Sequence, residues 1–373
     1  MSLLFLDGFD HYDITGVDAT TKVVDKWQQV GAGGHYADTG RRAGSLAFRS
    51  TNGALGRSSL VGASGVTTGI MGFAYNRSVG NASRVIAGFT DQYGISILSL
   101  LVAPSGVLYV VRPTYSGVYA PLPSVGGYWT LLGQPTENAI LGAQWYFIEW
   151  KASFAKAATA EVTIRVNEEV WAVISGVQTL STSCPFDNWN GGVGIQGANS
   201  STEQGLYDDL YVVDTTGGAP FNDFLGDVRI DPHYPTQDGV YTQWATSTGS
   251  DHYALVDDDP ADSVDPQPDD DVTYNATSTV GAIDTFVCED FKASGFSLLA
   301  LQYVVSHKKL DAGSAALAPV IRIASTDTFG TDYYPSEGNY YYDLAIYTTN
   351  PVSGLAWNES DFNAMEIGYK KTI

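Results

Sequence analysis

Cysteine is nearly absent from this 373-residue chain: only Cys184 and Cys288 are present. A disulfide framework is thereby excluded, and a single bridge between distant segments is the most the sequence allows. Methionine and lysine are scarce, and long Ala/Leu/Glu/Lys stretches are missing, which removes the usual material of helices. No heptad pattern is visible, so a coiled coil is excluded as a source of assembly. The longest apolar run, around Ile95–Val102, is interrupted by serine and falls short of a bilayer span, so no membrane insertion is expected. The opening Met-Ser-Leu-Leu-Phe-Leu-Asp carries no basic segment ahead of its apolar residues; a secretory signal is not expected, and synthesis in a cytoplasm is.

What remains is strand and turn material. Glycine (40), tyrosine (23) and phenylalanine (15) are abundant, and Val, Thr, Tyr and Ser recur between Gly, Asn and Asp clusters. That composition predicts an all-β protein of many short strands. The length suits two domains. Charge divides them unevenly: residues 1–215 hold 12 basic and 17 acidic side chains (net -5), and 216–373 hold 7 and 24 (net -17). A surface so acidic repels phosphate backbones, so nucleic acid is not an expected partner.

Strands are predicted at Leu3–Phe9, 44–49, 67–75, 84–90, 95–102, 107–112, 145–154, 160–166, 169–175, 192–196 and 206–213. Glu161/Thr163/Arg165 alternate with Val162/Ile164/Val166, the period of a half-buried strand, and Asn167-Glu168 then reads as a hairpin turn. Thr216–Pro220 has linker composition, which sets domains of 1–215 and 216–373. In the second, strands are predicted at Gly226–Ile230, 284–289, 297–306, 318–324 and 340–347, with a helical turn over 358–364. The Asp/Pro-rich stretch 257–271 disfavours both regular structures and reads as a solvated loop.

The strand Trp145-Tyr146-Phe147-Ile148-Glu149-Trp150, the alternating Val162–Asn167 and the closing Gly205–Asp214 resemble the laminin G/concanavalin A-like jelly roll. The resemblance implies an N-terminal jelly-roll sandwich whose first and last strands, Leu3–Asp10 and Leu206–Asp214, lie side by side. A second, smaller β-sandwich-like domain follows. Further matches are the opening Phe5–Asp13, Lys26-Trp27, Gly40-Arg41-Arg42 and Asn222–Arg229, then Trp244, Asp251–Tyr253, Trp357–Glu359 and Glu366–Tyr369. These resemble jelly-roll proteins of tailed bacteriophages. That likeness implies a virion structural protein, assembled in the host cytoplasm among other phage virion proteins.

Hydrolysis of glycosides needs two carboxyls at about 5–9.5 Å across a cleft. The laminarinase-like Glu-x-Asp-x-x-Glu spacing does not occur. Adjacent Glu168 and Glu169 would point to opposite faces, and Asp208 and Asp209 read as rim or edge residues. The five histidines (His11, His35, His233, His252, His307) lack ligand spacing and read as surface or turn residues. No Gly-x-Ser-x-Gly, His-Glu-x-x-His or phosphate-binding glycine loop occurs. The expectation is accordingly no enzymatic activity.

Two clusters remain as candidate sites. Asp257, Asp259, Asp269 and Asp271 could supply oxygen ligands to Ca²⁺, weighed against a solvated acidic loop. Tyr333, Tyr334, Tyr340 and Tyr342 flank a loop and suit a host surface glycan, weighed against core or subunit packing. The expected function is a tail-associated virion protein (fibre, spike or baseplate) with glycan or receptor contact. The alternatives are a capsid-surface decoration protein and a polysaccharide depolymerase. Tail appendages repeat about symmetry axes, so a homo-oligomer is expected, with a trimer first and the acidic loop outside the contact.

Overall fold

The computed structural model describes residues 2–12, 26–30, 34–51, 54–77, 83–113, 129–196, 205–258, 271–291 and 295–373. It divides into two units, Met1–Asp231 and Pro232–Ile373. The division falls at Asp231 rather than at residue 215, because Phe221–Asp231 belongs by its contacts to the first unit.

Strands of the first unit are β1 (Leu3–Asp7), β2 (Gln29–Val30), β3 (Gly34–Thr39), β4 (Leu46–Thr51), β5 (Ala54–Arg57), β6 (Thr68–Arg77), β7 (Arg84–Thr90) and β8 (Ser96–Val102). There follow β9 (Leu108–Pro113), β10 (Trp129–Leu132), β11 (Trp145–Ser153), β12 (Ala160–Val166), β13 (Glu169–Val177), β14 (Gly192–Gln196) and β15 (Gly205–Val213). They form two antiparallel sheets. Sheet A runs β13-β12-β11-β6-β15-β4-β3, with β1 also paired to β15, and sheet B runs β10-β9-β8-β7-β14-β5-β2. The first and last strands are neighbours as expected, Leu3 opposite Val213 and Asp7 opposite Leu210. A jelly-roll sandwich results.

Alternation decides the layers. Trp150 on β11 turns inward and meets Phe89 of sheet B at 4.6 Å between centroids, and Phe89 in turn meets Trp189 at 4.9 Å. Trp145 lies on the opposite face of the same strand. The hairpin between β12 and β13 turns on Asn167 and Glu168, both at positive φ (49° and 67°), as a two-residue hairpin turn requires.

The second unit contains β16 (Pro235–Thr242), β17 (Ala245–Thr246), β18 (Asn275–Ala276), β19 (Ile283–Cys288) and β20 (Leu301–His307). It continues with β21 (Leu317–Ile323), β22 (Thr326–Phe329), β23 (Tyr341–Tyr347), α1 (Glu359–Asn363) and β24 (Met365–Lys371). A five-stranded sheet, β16-β19-β24-β21-β22, and the β20–β23 pair enclose two apolar clusters. One is built on Ile321, Ile323, Trp357, Phe362 and Met365, the other on Phe286, Leu317 and Tyr369. α1 is capped by Asn358, whose side chain accepts from the Asp361 amide. Gly226–Ile230, expected as a strand, is not one: its amides bond to side chains of sheet A instead of a ladder. Cys184 and Cys288 are both free, so no bridge joins them.

Candidate functional site

The face of sheet A that points away from the core carries a row of polar residues in register. Arg165 on β12 lies opposite Glu149 on β11, Glu149 opposite Gly72 on β6, and Gly72 opposite Tyr211 on β15. Glycine makes the row possible. A Cβ at position 72 would stand 2.1 Å from Tyr211 Cε1, so only a bare backbone lets the tyrosine ring lie across the sheet. The ring stacks on Phe147 (6.4 Å, 18°) and its hydroxyl donates to Glu149 Oε1 at 2.5 Å.

Glu149 is wholly buried and its Oε2 has no hydrogen-bond partner, with Arg165 Nη1 at 3.5 Å. Burial raises the Glu149 pKa above the ordinary carboxylate value, against the hydrogen bonds from Tyr211 and the Gly226 amide and the charge of Arg165. Burial, followed by the Glu149 charge, likewise drives the Tyr211 hydroxyl well above its usual pKa. A carboxylate displaced toward neutrality, a protonated phenol and a guanidinium thus share one sheet face. Such a set can accept a proton, donate one and neutralise an anion.

One end of the row is an ion cluster. β15 bulges between Asp208 and Tyr211, placing Asp209 at φ 50°. Both Asp208 and Asp209 are completely buried on a central strand, so the rim or edge placement expected for them is corrected. Asp209 accepts from Arg41 Nε at 2.5 Å, from both terminal nitrogens of Arg42, and from the Ile230 amide at 2.7 Å. Asp208 Oδ1 and Asp10 Oδ2 are buried without hydrogen-bond partners. Burial, with the neighbouring carboxylates, pushes Asp10 up to about 8 and Asp208 up to about 7.

Phe221–Asp231 lies over this face. Leu225 N donates to Tyr211 Oη (3.1 Å) and Gly226 N to Glu149 Oε1 (2.9 Å). Lys151 Nζ reaches Asp223 at 3.2 Å, Arg41 Nη1 reaches Asp227 at 2.5 Å, and Arg42 Nη2 reaches Asp231 at 3.0 Å. The Phe224 ring sits under the Arg165 guanidinium at 4.8 Å. Gly8 admits the end of the segment, since a Cβ there would stand 2.2 Å from the Ile230 carbonyl.

Residues that carry the phage resemblance have structural work here. Asp7 accepts from the Phe9 amide, Tyr12 Oη and Trp27 Nε1 (2.9, 2.8 and 2.7 Å), with Lys26 Nζ at 3.3 Å. Burial alone would raise Asp7, but Lys26, His11 and these donors hold it below its ordinary pKa. Arg41 and Arg42 bind the bulge and the overlying segment.

The described residues of the expected tyrosine and aspartate sites have different surroundings. The Tyr333 ring packs on the Phe286/Leu317/Tyr369 cluster and lies parallel to His307 (6.2 Å, 5°). Tyr334 is 67% exposed. Tyr340 sits beneath Lys308 at 4.5 Å and donates to Asp271, while Tyr342 is on β23 opposite Ser306. Asp271 is also paired with Lys308, which with Tyr340 holds it below its ordinary pKa. Asp257 is half-buried near the end of the described stretch, and Asp259 and Asp269 lie outside the described residues. Among the described residues no group of three or more His, Cys, Asp or Glu is arranged to hold a metal.

Two histidines expected as surface or turn residues are in hydrogen-bond contact with carboxylates instead. His252 Nδ1 lies 2.8 Å from the buried Asp284, and His307 Nε2 lies 2.8 Å from Asp343.

No protein-family model and no curated protein sequence matches the chain. Among solved structures it is similar to an endo-β-1,4-glucuronan lyase from the fungus Trichoderma reesei (12% identity, TM-score 0.38, 57% of this chain and 95% of that one). It is also similar to the marine PL-14 alginate lyase from Aplysia kurodai (8%, TM-score 0.40, 57% and 100%). A third is the carbohydrate esterase of the Shiga toxin-encoding bacteriophage phi24B (13%, TM-score 0.33, 56% and 99%). The expectation of no enzymatic activity does not stand beside these neighbours, which are named as lyases and an esterase. Its premise was also too narrow, because a missing carboxylate pair bears on glycoside hydrolysis and not on elimination.

Proposed function

We propose that the chain is a polysaccharide-engaging and -processing protein of a tailed-phage particle, with sheet A of the first unit as its glycan face. The observation that carries this reading is the row Arg165–Glu149–Gly72–Tyr211, centred on a buried carboxylate whose Oε2 faces the Arg165 guanidinium at 3.5 Å and accepts no hydrogen bond. Buried polar atoms without a hydrogen bond are rare, and a raised-pKa carboxylate beside a phenol and a guanidinium is an arrangement for moving protons. In eliminative cleavage beside a uronate carboxylate, Glu149 would take the ring proton and Arg165 would hold the developing anion. Tyr211 would return a proton to the leaving oxygen. This favours the depolymerase alternative over capsid decoration.

The test is incubation of the protein with purified host capsule and lipopolysaccharide glycans. Cleavage is read from new reducing ends and from the ultraviolet absorbance of unsaturated uronates. Loss of product in Glu149→Gln with binding retained supports the reading. Neither binding nor product over the glycan panel refutes it.

Placement on the tail, in contact with other virion proteins and as a homo-oligomer with a trimer first, belongs to the same proposal. Quantitative mass spectrometry of purified particles tests the placement. A few dozen copies or fewer fit a tail appendage, and a number on the order of hundreds fits capsid decoration.

A further inference from the structure

We infer that the ligand of the sheet A face is an acidic polysaccharide, and that Phe221–Asp231 occupies its place as an internal competitor. The inference rests on the glycan reading above, extends its uronate chemistry to binding along the whole face, and adds the means by which the face is closed.

The chain has a net charge of -22 and would repel a polyanion over most of its surface. On this face, however, Arg41, Arg42, Lys151 and Arg165 converge. The covering segment meets three of them with Asp223, Asp227 and Asp231, carboxylates recurring every fourth residue. Three carboxylates of one segment thus meet cations of the sheet face, as those of a uronate chain would. The segment forms no backbone ladder with sheet A; side chains of the sheet receive its amides.

The fit is incomplete where it bears on chemistry. Gly226 N satisfies Glu149 Oε1, but Oε2, 3.5 Å from Arg165 Nη1, is buried and accepts no hydrogen bond. A sugar hydroxyl could donate to that oxygen, which the apolar Phe224 side chain nearby cannot do. The strap therefore matches the charges of the ligand without completing the hydrogen bonds at the centre of the row. Displacement of the strap exposes Glu149, Tyr211 and Arg165 together.

The test uses the full chain and polyglucuronate, with a neutral β-glucan of equal length beside it, titrated calorimetrically at low salt. Three proteins are compared. They are the wild type, a strap variant (Asp223→Asn, Asp227→Asn, Asp231→Asn) and a control of equal net charge (Asp251→Asn, Glu337→Gln, Glu359→Gln). The strap carboxylates are 64%, 50% and 27% exposed, so the substitutions leave the core intact. The strap variant should bind polyglucuronate about tenfold more tightly than the control. In the wild type, polyglucuronate should speed hydrogen exchange at the Leu225, Gly226 and Ile230 amides. Equal affinity in strap variant and control, with those amides unchanged by bound polyglucuronate, overturns the competitor and leaves the glycan reading standing. Preference for the neutral glucan overturns the acidic class. Binding of neither polymer by any of the three proteins overturns this inference, and a blank result over the whole host-glycan panel would be needed to remove the glycan reading as well.

Discussion

Gly72→Ala tests the construction of the central row most directly. The added methyl would stand 2.1 Å from Tyr211 Cε1 and 2.6 Å from Cζ, too close for any rotamer adjustment of the alanine. Tyr211 is fully buried between Phe147 and the covering segment, so its ring must leave the sheet or the strands must part. Overpacking of this kind costs about 1–3 kcal/mol. Loss of the Tyr211–Glu149 hydrogen bond, whose acceptor is a carboxylate, adds about 1.5–3 kcal/mol. The sum, about 2.5–6 kcal/mol, lowers the melting temperature of a unit this size by roughly 5–24 °C. Calorimetry and urea unfolding on the full chain measure it, following the transition of the first unit. The decisive comparison is a double-mutant cycle with Tyr211→Ala. With the ring removed, the methyl has space, and Gly72→Ala should cost less than about 1 kcal/mol. An equal loss in both backgrounds would show that the destabilisation has nothing to do with Tyr211, and the row as described would be wrong.

Three further outcomes are expected. Asp10 and Asp208, raised to about 8 and about 7, hold protons in the folded state that the unfolded chain releases near its ordinary carboxylate pKa. Stability is therefore greatest below the unfolded value and falls as pH rises through 7–8, by up to about 1.4 kcal/mol per pH unit for each group. Asp10→Asn should flatten that fall and exceed the wild type in melting temperature at pH 8.5 but not at pH 5; a parallel pair of curves would contradict the assignment. A chain ending before Gly205 loses β15, the strand that joins β1, β4 and β6 of sheet A, and should fail to give a cooperative transition; one that melts sharply would contradict the topology. Sedimentation with and without Ca²⁺, beside a variant with Asp257–Asp259 and Asp269–Asp271 changed to Asn, addresses assembly. A monomer at micromolar concentration throughout would refute intrinsic homo-oligomerisation, and an oligomer lost in the variant would place the loop at the contact.

The layers of the first unit were legible from alternation in Ala160–Val166 and from continuous apolar runs between turn residues in the central strands. Ala160–Val166 and Arg84–Thr90 appear where the pattern sets them, and Trp145 and Trp150 fall on opposite faces by parity alone. Short strands such as Ala54–Arg57 and Trp129–Leu132 offer too few residues for a period to show. Gly226–Ile230 misled for a related reason. Val228 and Ile230 alternate with charged residues as in a half-buried strand, yet the segment lies on a sheet face and bonds to side chains.

The candidate site was legible only in pieces, since its residues are joined by strand register and not by spacing along the chain. Glu149 and Tyr211 are 62 residues apart and meet because each lies opposite Gly72 on neighbouring strands. Nothing in either local sequence marks the pairing. The bulge that buries Asp208 and Asp209 is equally silent, so two adjacent acids on a strand read as a rim. A signal did exist in Gly72, a glycine inside a long apolar run where a side chain would ordinarily pack. A glycine there means that something crosses the strand closely, and the candidates are large side chains on the flanking strands. Arg41-Arg42 gave a second signal: two consecutive guanidiniums in a strongly acidic chain need buried acids to hold them. Together these features point to a sheet face built for charge, with the strap of three aspartates as its present occupant.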